Sequence, residues 1–232
     1  MYAQWHGLDH GRIRLAMSPH ATDTCGPDLL HALAARAREL GVPITIHMAQ
    51  SKAEVDVIRA RYGRSPAEYL DWLGVLGPDL LAAHCVQCTP ADLALLARHG
   101  ASVLNCPRVF ARGGTPASFA SFKGHGVRTL IGTDGYNLDL LGELHAAALI
   151  SKTQAGDAEV ASSPELIAAV TGEAAAAIGR DDLGAIRPGG GADLTIIDLG
   201  HPHLQPLFDP RRALVRLANR ANVDAVIVDG RV

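Results

Sequence analysis

The sequence predicts an α/β fold: a parallel sheet whose short strands alternate with covering helices. Two observations lead to it. Short apolar runs and longer stretches of helical periodicity replace one another along residues 12–178, the order expected of strand–helix units. The strand runs are also apolar throughout, as in Leu80-Leu-Ala-Ala83, which marks strands buried on both faces of a parallel sheet.

The first strand is read at Arg12-Ile-Arg-Leu-Ala-Met17, ending in Ser18-Pro19-His20. A helix follows over Pro27–Leu40, with Pro27 in the first turn, a stripe of Leu29, Leu30, Leu33 and Ala34, and Gly41 as its stop. Ile44-Thr-Ile46 is a short buried strand ending at His47, and helices are read at about 52–61 and 66–73. Leu80–Ala83 is the next strand, ending at His84. Thr89 then caps a helix that Pro90 opens and that runs through Arg98. Ala101–Leu104 is a strand ending at Asn105-Cys106-Pro107, followed by a glycine-rich loop and a short helix near 116–123. Val127–Ile131 is a strand ending at Gly132-Thr133-Asp134-Gly135, and Leu138–Lys152 and Pro164–Ile178 are helices. Beyond Gly179 the character changes. Ala192–Asp198 and Val223–Asp229 are β runs with a proline-rich loop between them. About five strand–helix units can be counted, where a closed (β/α)8 barrel needs eight. The expected architecture is an incomplete TIM-type barrel over residues 1–180, with part of a small appended β-domain over 181–232. The missing units are expected to precede residue 1.

Composition excludes several classes of function. Of the 232 residues, 48% are hydrophobic and 19% charged, the balance of a well-buried globular chain. A formal net charge of −3 offers no attraction to nucleic acid or anionic membrane. No apolar run approaches the roughly 18–20 residues of a membrane span, and the opening MYAQWHGLDHGR has no apolar leader core. The cysteines, Cys25, Cys85, Cys88 and Cys106, suggest no disulfide framework, so a cytoplasmic setting is expected. Cys85-Val-Gln-Cys88 has the spacing of a redox or zinc pair, but no second such pair accompanies it and it is read as structural.

Three polar residues share one structural address. His47, His84 and Asp134 each stand at or close behind the end of an apolar strand, where the active sites of α/β barrels gather. Two imidazoles and a carboxylate there suit a site in which a metal activates water.

At these positions the sequence resembles a known group. His47-Met-Ala-Gln50 with Glu54, Ala83-His84-Cys85, Asn105-Cys-Pro107 and Ile131-Gly-Thr-Asp134-Gly, in that order, resemble the motifs of the amidohydrolase superfamily. The similar branch holds cytosine, guanine and S-adenosylhomocysteine deaminases and triazine hydrolases. Thr171–Gly179, Gly184-Ala-Ile-Arg-Pro-Gly and Val223–Arg231 resemble that family's closing helix and its return to a β-domain. The resemblance implies one divalent metal ion, Zn²⁺ or alternatively Fe²⁺, with His47 and Asp134 among its ligands. It implies that His84 hydrogen-bonds the substrate and polarises the bond under attack, and that Asp134 takes a proton from the attacking water. His20, Gln50 and Asn105 are the further expected substrate contacts.

The sequence departs from the family in two ways. The family draws two more metal ligands from a His-x-His pair at the end of its first barrel strand. Here the His-x-His is His201-Pro-His203, in the expected β-domain loop, where it reads as solvated. The deaminases usually carry Glu three residues after the metal histidine, and here that residue is Gln50. A neutral amide can hydrogen-bond but cannot carry a proton, so Gln50 is counted with Asp134 and His84 among the expected catalytic residues but read as orienting substrate. No lysine ends the fourth-strand segment, which carries His20, so one metal is expected rather than two. Arg108 and Arg112 read as solvated, with contact to an anionic substrate group as the alternative. The expected function is hydrolysis of a non-peptide carbon–nitrogen bond in a small heterocycle. The rival expectation is a catalytically inactive fragment or paralogue lacking the first-strand ligands. The expected partner is a small-molecule substrate, with self-association into a homo-oligomer left open.

Overall fold

The computed structural model describes residues 2–135 and 137–232. Its contacts divide into two units, Met1–Leu104 with Phe122–Thr129, and Asn105–Ser121 with Leu130–Val232.

In the first unit, a single helical turn, α1 (Tyr2–Trp5), and a short turn, α2 (Leu8–Gly11), in which Asp9 and His10 take left-handed φ, precede α3 (Pro27–Leu40). α3 has Pro27 in its first turn and ends at Gly41, whose φ of 64° is left-handed. Its buried stripe is Leu30, Ala34 and Ala37, while Leu29, expected inside, is exposed. β1 (Ile44–Met48), α4 (Lys52–Tyr62), α5 (Pro66–Trp72), β2 (Leu80–His84), α6 (Pro90–His99) and β3 (Ser102–Asn105) follow. α5 and α6 open on capping boxes, Ser65 with Glu68 and Thr89 with Asp92. β1 pairs parallel with β2, Ile44 opposite Leu80 and Met48 opposite His84, and β2 pairs parallel with β3. Every residue of β2 is buried, as expected of a central strand in a parallel α/β sheet.

The strand expected at 12–17 is replaced by two isolated parallel bridges, Met17 to Ile44 and Ala21 to His47. Pro19 lies between them and has no N–H to give to a ladder. Arg12, Ile13 and Arg14 are exposed.

After β3 come α7 (Pro107–Arg112), α8 (Phe119–Gly124) and β4 (Arg128–Ile131), and the sheet order is β1-β2-β3-β4. α7 replaces part of the expected glycine-rich loop. Pro107 presets its first turn, and the Glu143 carboxylate accepts from the Arg108 N–H at 3.0 Å, a distant cap that local pattern cannot show. In the second unit, α9 (Leu140–Ala155) is followed by α10 (Ser163–Val170) and α11 (Gly172–Ala177). The single helix expected over 164–178 breaks at Thr171, with φ −124° and ψ −100°. The Thr171 hydroxyl donates back to the Ile167 carbonyl at 2.7 Å, an alternative to continuing the helix. Close backbone approach also needs glycine here: a Cβ on Gly184 would stand 2.5 Å from Gly172 Cα.

β5 (Leu194–Ile197) and β6 (Val223–Ile227) form a two-stranded antiparallel sheet. Between them, the expected proline-rich loop contains α12 (Pro210–Arg216), with Asp209 capping the N–H groups of Arg211 and Arg212. α12 packs on α9 and α10 and buries Val215 with Leu144, Leu166 and Phe119. Phe119 is fully buried. Phe119→Ala is therefore expected to cost about 3–5 kcal/mol, read as a lower urea midpoint at unchanged slope. A loss within error of zero would show that this cluster does not hold the second unit.

Candidate active site

The first unit brings three imidazoles together. His47 lies on β1 and His84 is the last residue of the neighbouring β2. Their rings stack with centroids 4.8 Å apart and planes 3° apart. His47 Nδ1 lies 2.8 Å from His84 Nε2, so one imidazole donates to the other, and the bond fixes a tautomer on each. His20 meets the edge of His47 at 5.3 Å, placed by the His47 N–H donating to the His20 carbonyl at 3.0 Å. The His20 ring is exposed and pairs with the Thr24 hydroxyl at 2.7 Å.

The backbone that presents these rings is strained. Ala49, His84 and Cys85 have φ of 49°, 79° and 54°, values that cost an L-residue of order 1 kcal/mol or more each. Such strain persists only where surrounding contacts enforce it. One enforcing contact comes from Glu54, 1% exposed, which accepts from Ala49 N at 2.9 Å and Gln50 N at 2.8 Å, and from the Thr22 hydroxyl. Burial pushes the Glu54 carboxyl above its ordinary range, against the pull of those hydrogen bonds. Gln50 itself is half-buried.

The second unit carries Asn105 and Asp134. Asn105 is 1% exposed, and its amide donates to the Ala117 carbonyl at 3.2 Å. Its Oδ1 is buried and accepts no hydrogen bond among the described residues. Asp134 has φ of 54°, and its carboxylate accepts from the next N–H, that of Gly135. Cys106 is pushed up to about 12, mainly by burial and then by the charges of Asp134 and Glu143. This thiol stays protonated and is no nucleophile. Arg108, read from sequence as solvated, is instead half-buried. Its Nε lies 3.7 Å from Glu143 Oε1 and its Nη1 3.8 Å from Asp139 Oδ2. His201 and His203 are exposed on a 3-10 turn.

Glu143, 1% exposed, is a residue the sequence reading missed, because an acid on a helix face reads as solvated. Burial raises its pKa above the ordinary 4.5, opposed by the Arg108 N–H and guanidinium. A carboxyl whose folded pKa exceeds its unfolded one contributes stability that is full below the ordinary value. That contribution is lost as pH rises through the raised value. Glu143→Gln keeps an acceptor for Arg108 N and removes the titration. The variant should therefore gain on the wild type, in urea midpoint, as pH rises from the ordinary carboxylate range toward neutrality. A difference that stays flat with pH would show that Glu143 is not perturbed.

Among the described residues, no three of His, Cys, Asp and Glu gather into a group able to hold a metal ion. Catalytic zinc normally takes three protein ligands, so the side chains present do not make a closed cage by themselves. No helix of the described residues is long and apolar enough to cross a membrane.

The site thus stands on a parallel α/β sheet, with His47 and His84 at or next to the ends of neighbouring strands. The whole chain, over residues 2–232, matches the amidohydrolase family, and the protein belongs to that family. It is 38% identical over 240 residues to the 5-methylthioadenosine/S-adenosylhomocysteine deaminase of Moorella thermoacetica, covering 100% of this chain and 56% of that protein. Its structure is similar to the zinc-bound adenosine deaminase of Xanthomonas campestris, with a TM-score of 0.91 and 31% identity over 97% of this chain and 53% of that one. It is also similar to zinc-complexed atrazine chlorohydrolase of Arthrobacter aurescens, with a TM-score of 0.87 and 25% identity over 99% of this chain and 52% of that one. The chain thus spans about half the length of the relatives it matches.

Proposed function

We propose that this chain forms the C-terminal part of an aminohydrolase that releases ammonia from the ring of an adenosine-type heterocycle. The observation that carries the reading is the pair of imidazoles, His47 and His84, hydrogen-bonded at 2.8 Å from adjacent strands in a chain of the amidohydrolase family. Relatives whose names include S-adenosylhomocysteine and adenosine deaminases support the substrate class. In this reading residues 1–180 belong to an incomplete (β/α)8 barrel and 181–232 to a partial β-domain. A cytoplasmic setting belongs to the same reading, supported by four cysteines whose placement in the sequence suggests no disulfide framework.

The roles follow from chemistry. His84, held in one tautomer by His47, hydrogen-bonds the substrate at the bond under attack. Asp134 takes the proton of the attacking water and returns it to the leaving nitrogen, as a carboxylate beside both can do without moving. Gln50, Asn105 and His20 orient the heterocycle. A divalent ion, zinc first and iron second, would supply Lewis acidity when bound, with His47 and Asp134 as part of its ligand set.

The test is metal content together with turnover. A chain extended through an in-frame upstream strand ending in His-x-His should carry about one ion per chain and release ammonia from a panel of adenosine derivatives. Residues 1–232 alone should carry far less. Equal, stoichiometric metal in both forms would show that the ligands are misassigned. Failure of the extended form to turn over any nucleoside or triazine would sink the activity. A second reading, an inactive fragment, is favoured by the lack of a three-donor group among the described residues. It predicts that no such upstream strand exists in frame.

A further inference from the structure

We propose that Glu54 is a positioning residue for the reaction: its buried carboxylate ties the segment after His20 to the loop after His47 and so sets where His20, His47 and Gln50 stand. The proposal rests on the aminohydrolase reading for its catalytic consequence, though not for its geometry.

Three donors converge on this one side chain, and they come from two separate stretches of chain. Thr22, 1% exposed, gives its hydroxyl to Oε1. Ala49 N gives to Oε1 at 2.9 Å and Gln50 N gives to Oε2 at 2.8 Å. Thr22 stands two residues after His20 and directly follows Ala21, which bridges to His47. Ala49 and Gln50 stand two and three residues after His47, and Ala49 is held at a left-handed φ of 49°. Glu54 itself is fixed, because it lies in the first turn of α4, its N–H donating to the Ser51 hydroxyl at 3.1 Å. Acceptors on a rigid helix thus hold the strained turn that delivers Gln50.

Only a carboxylate fits. Each oxygen receives a backbone N–H, so both atoms must accept. An amide of the same shape accepts on one atom and donates on the other. In either orientation Glu54→Gln sets its NH₂ against Ala49 N–H or Gln50 N–H. The variant keeps the volume and removes the buried charge, so gross folding should survive while the turn is released.

Hydrogen exchange is measured on the 232-residue chain and turnover on the active protein. In Glu54→Gln the Ala49 or Gln50 amide should exchange at least about tenfold faster, with the β1 amides unchanged. The kcat should fall about 10- to 100-fold, the scale of a misplaced reacting group, with KM within about threefold. Thr22→Val keeps the shape and removes one donor, and should give a smaller loss of the same kind. A lower melting temperature, with kcat per folded molecule and both amides unchanged, would assign Glu54 to stability alone and overturn the proposal. If the wild type turns over no substrate, the aminohydrolase reading fails, and exchange at Ala49 and Gln50 still decides whether Glu54 holds the turn.

Discussion

Ammonia release by the active protein is expected to fall about 10²–10³-fold when His84 becomes alanine, the range for loss of one preorganised hydrogen-bond donor at the reacting bond. His84 ends β2, is 2% exposed, and sits at a φ of 79° that a non-glycine residue adopts only under constraint. Its Nε2 is bound at 2.8 Å to His47 Nδ1. The substitution therefore removes two things. The substrate loses the imidazole that polarises its reacting bond, and His47 loses the partner that fixes its tautomer. A partner of this kind typically costs 10–100-fold in metal affinity or activity when removed. His84→Asn separates the two losses, because the amide can hydrogen-bond His47 but lacks the second ring nitrogen that would meet the substrate. Metal content should then stay nearer the wild-type level while turnover stays low. Steady-state ammonia release and elemental analysis on the same preparations read both. Turnover of His84→Ala within threefold of wild type would remove His84 from the chemistry.

Much of the fold was legible because local signals and tertiary packing agree. Pro27 with Gly41, Ser65-Pro66 and Thr89-Pro90 mark helix starts and a stop that the structure keeps, and the apolar runs at 44–46 and 80–83 lie in strands. What failed depended on distant partners or on single breaks. The α7 turn is capped by Glu143, thirty-five residues away. The helix at 164–178 breaks because Thr171 bonds its own preceding turn and Gly184 must approach Gly172. Asp209-Pro210 is a local helix start inside a segment whose prolines otherwise favour a loop.

The candidate site shows the same division. The histidines were visible as polar residues closing apolar strands. The backbone strain beneath them was not, because Ala49, His84, Cys85 and Asp134 all take positive φ without a glycine to announce it. The carboxylates that support the site, Glu54 and Glu143, lie on helices where sequence gives an acid a solvated face. Burial of 1% exposure each is a property of packing, and it is what makes their hydrogen bonds decisive.

Replacing Gln50 by glutamate is expected to raise ammonia release from an adenosine-type substrate by orders of magnitude, about 10²–10⁴ for a restored proton carrier. Loss of ammonia from a ring carbon requires a proton to reach the leaving nitrogen, and a neutral amide cannot deliver one. Position 50 can present a carboxylate well. Its backbone N–H is fixed by Glu54 Oε2 at 2.8 Å, and its side chain is half-buried. A second carboxylate near Glu54 repels it, and both effects push the new group's pKa upward. A raised carboxyl pKa is what a proton donor working near neutral pH needs, because the acid form must be populated there. The rise should appear in kcat and follow a pH profile that falls as the new carboxyl ionises. The control is Gln50→Met, close in length and without a titratable group, which should gain nothing. Activity that falls on the native substrate and appears on no other would show that the orienting contact of the neutral amide outweighs a restored proton carrier. Rates within twofold on every heterocycle would remove position 50 from the chemistry altogether.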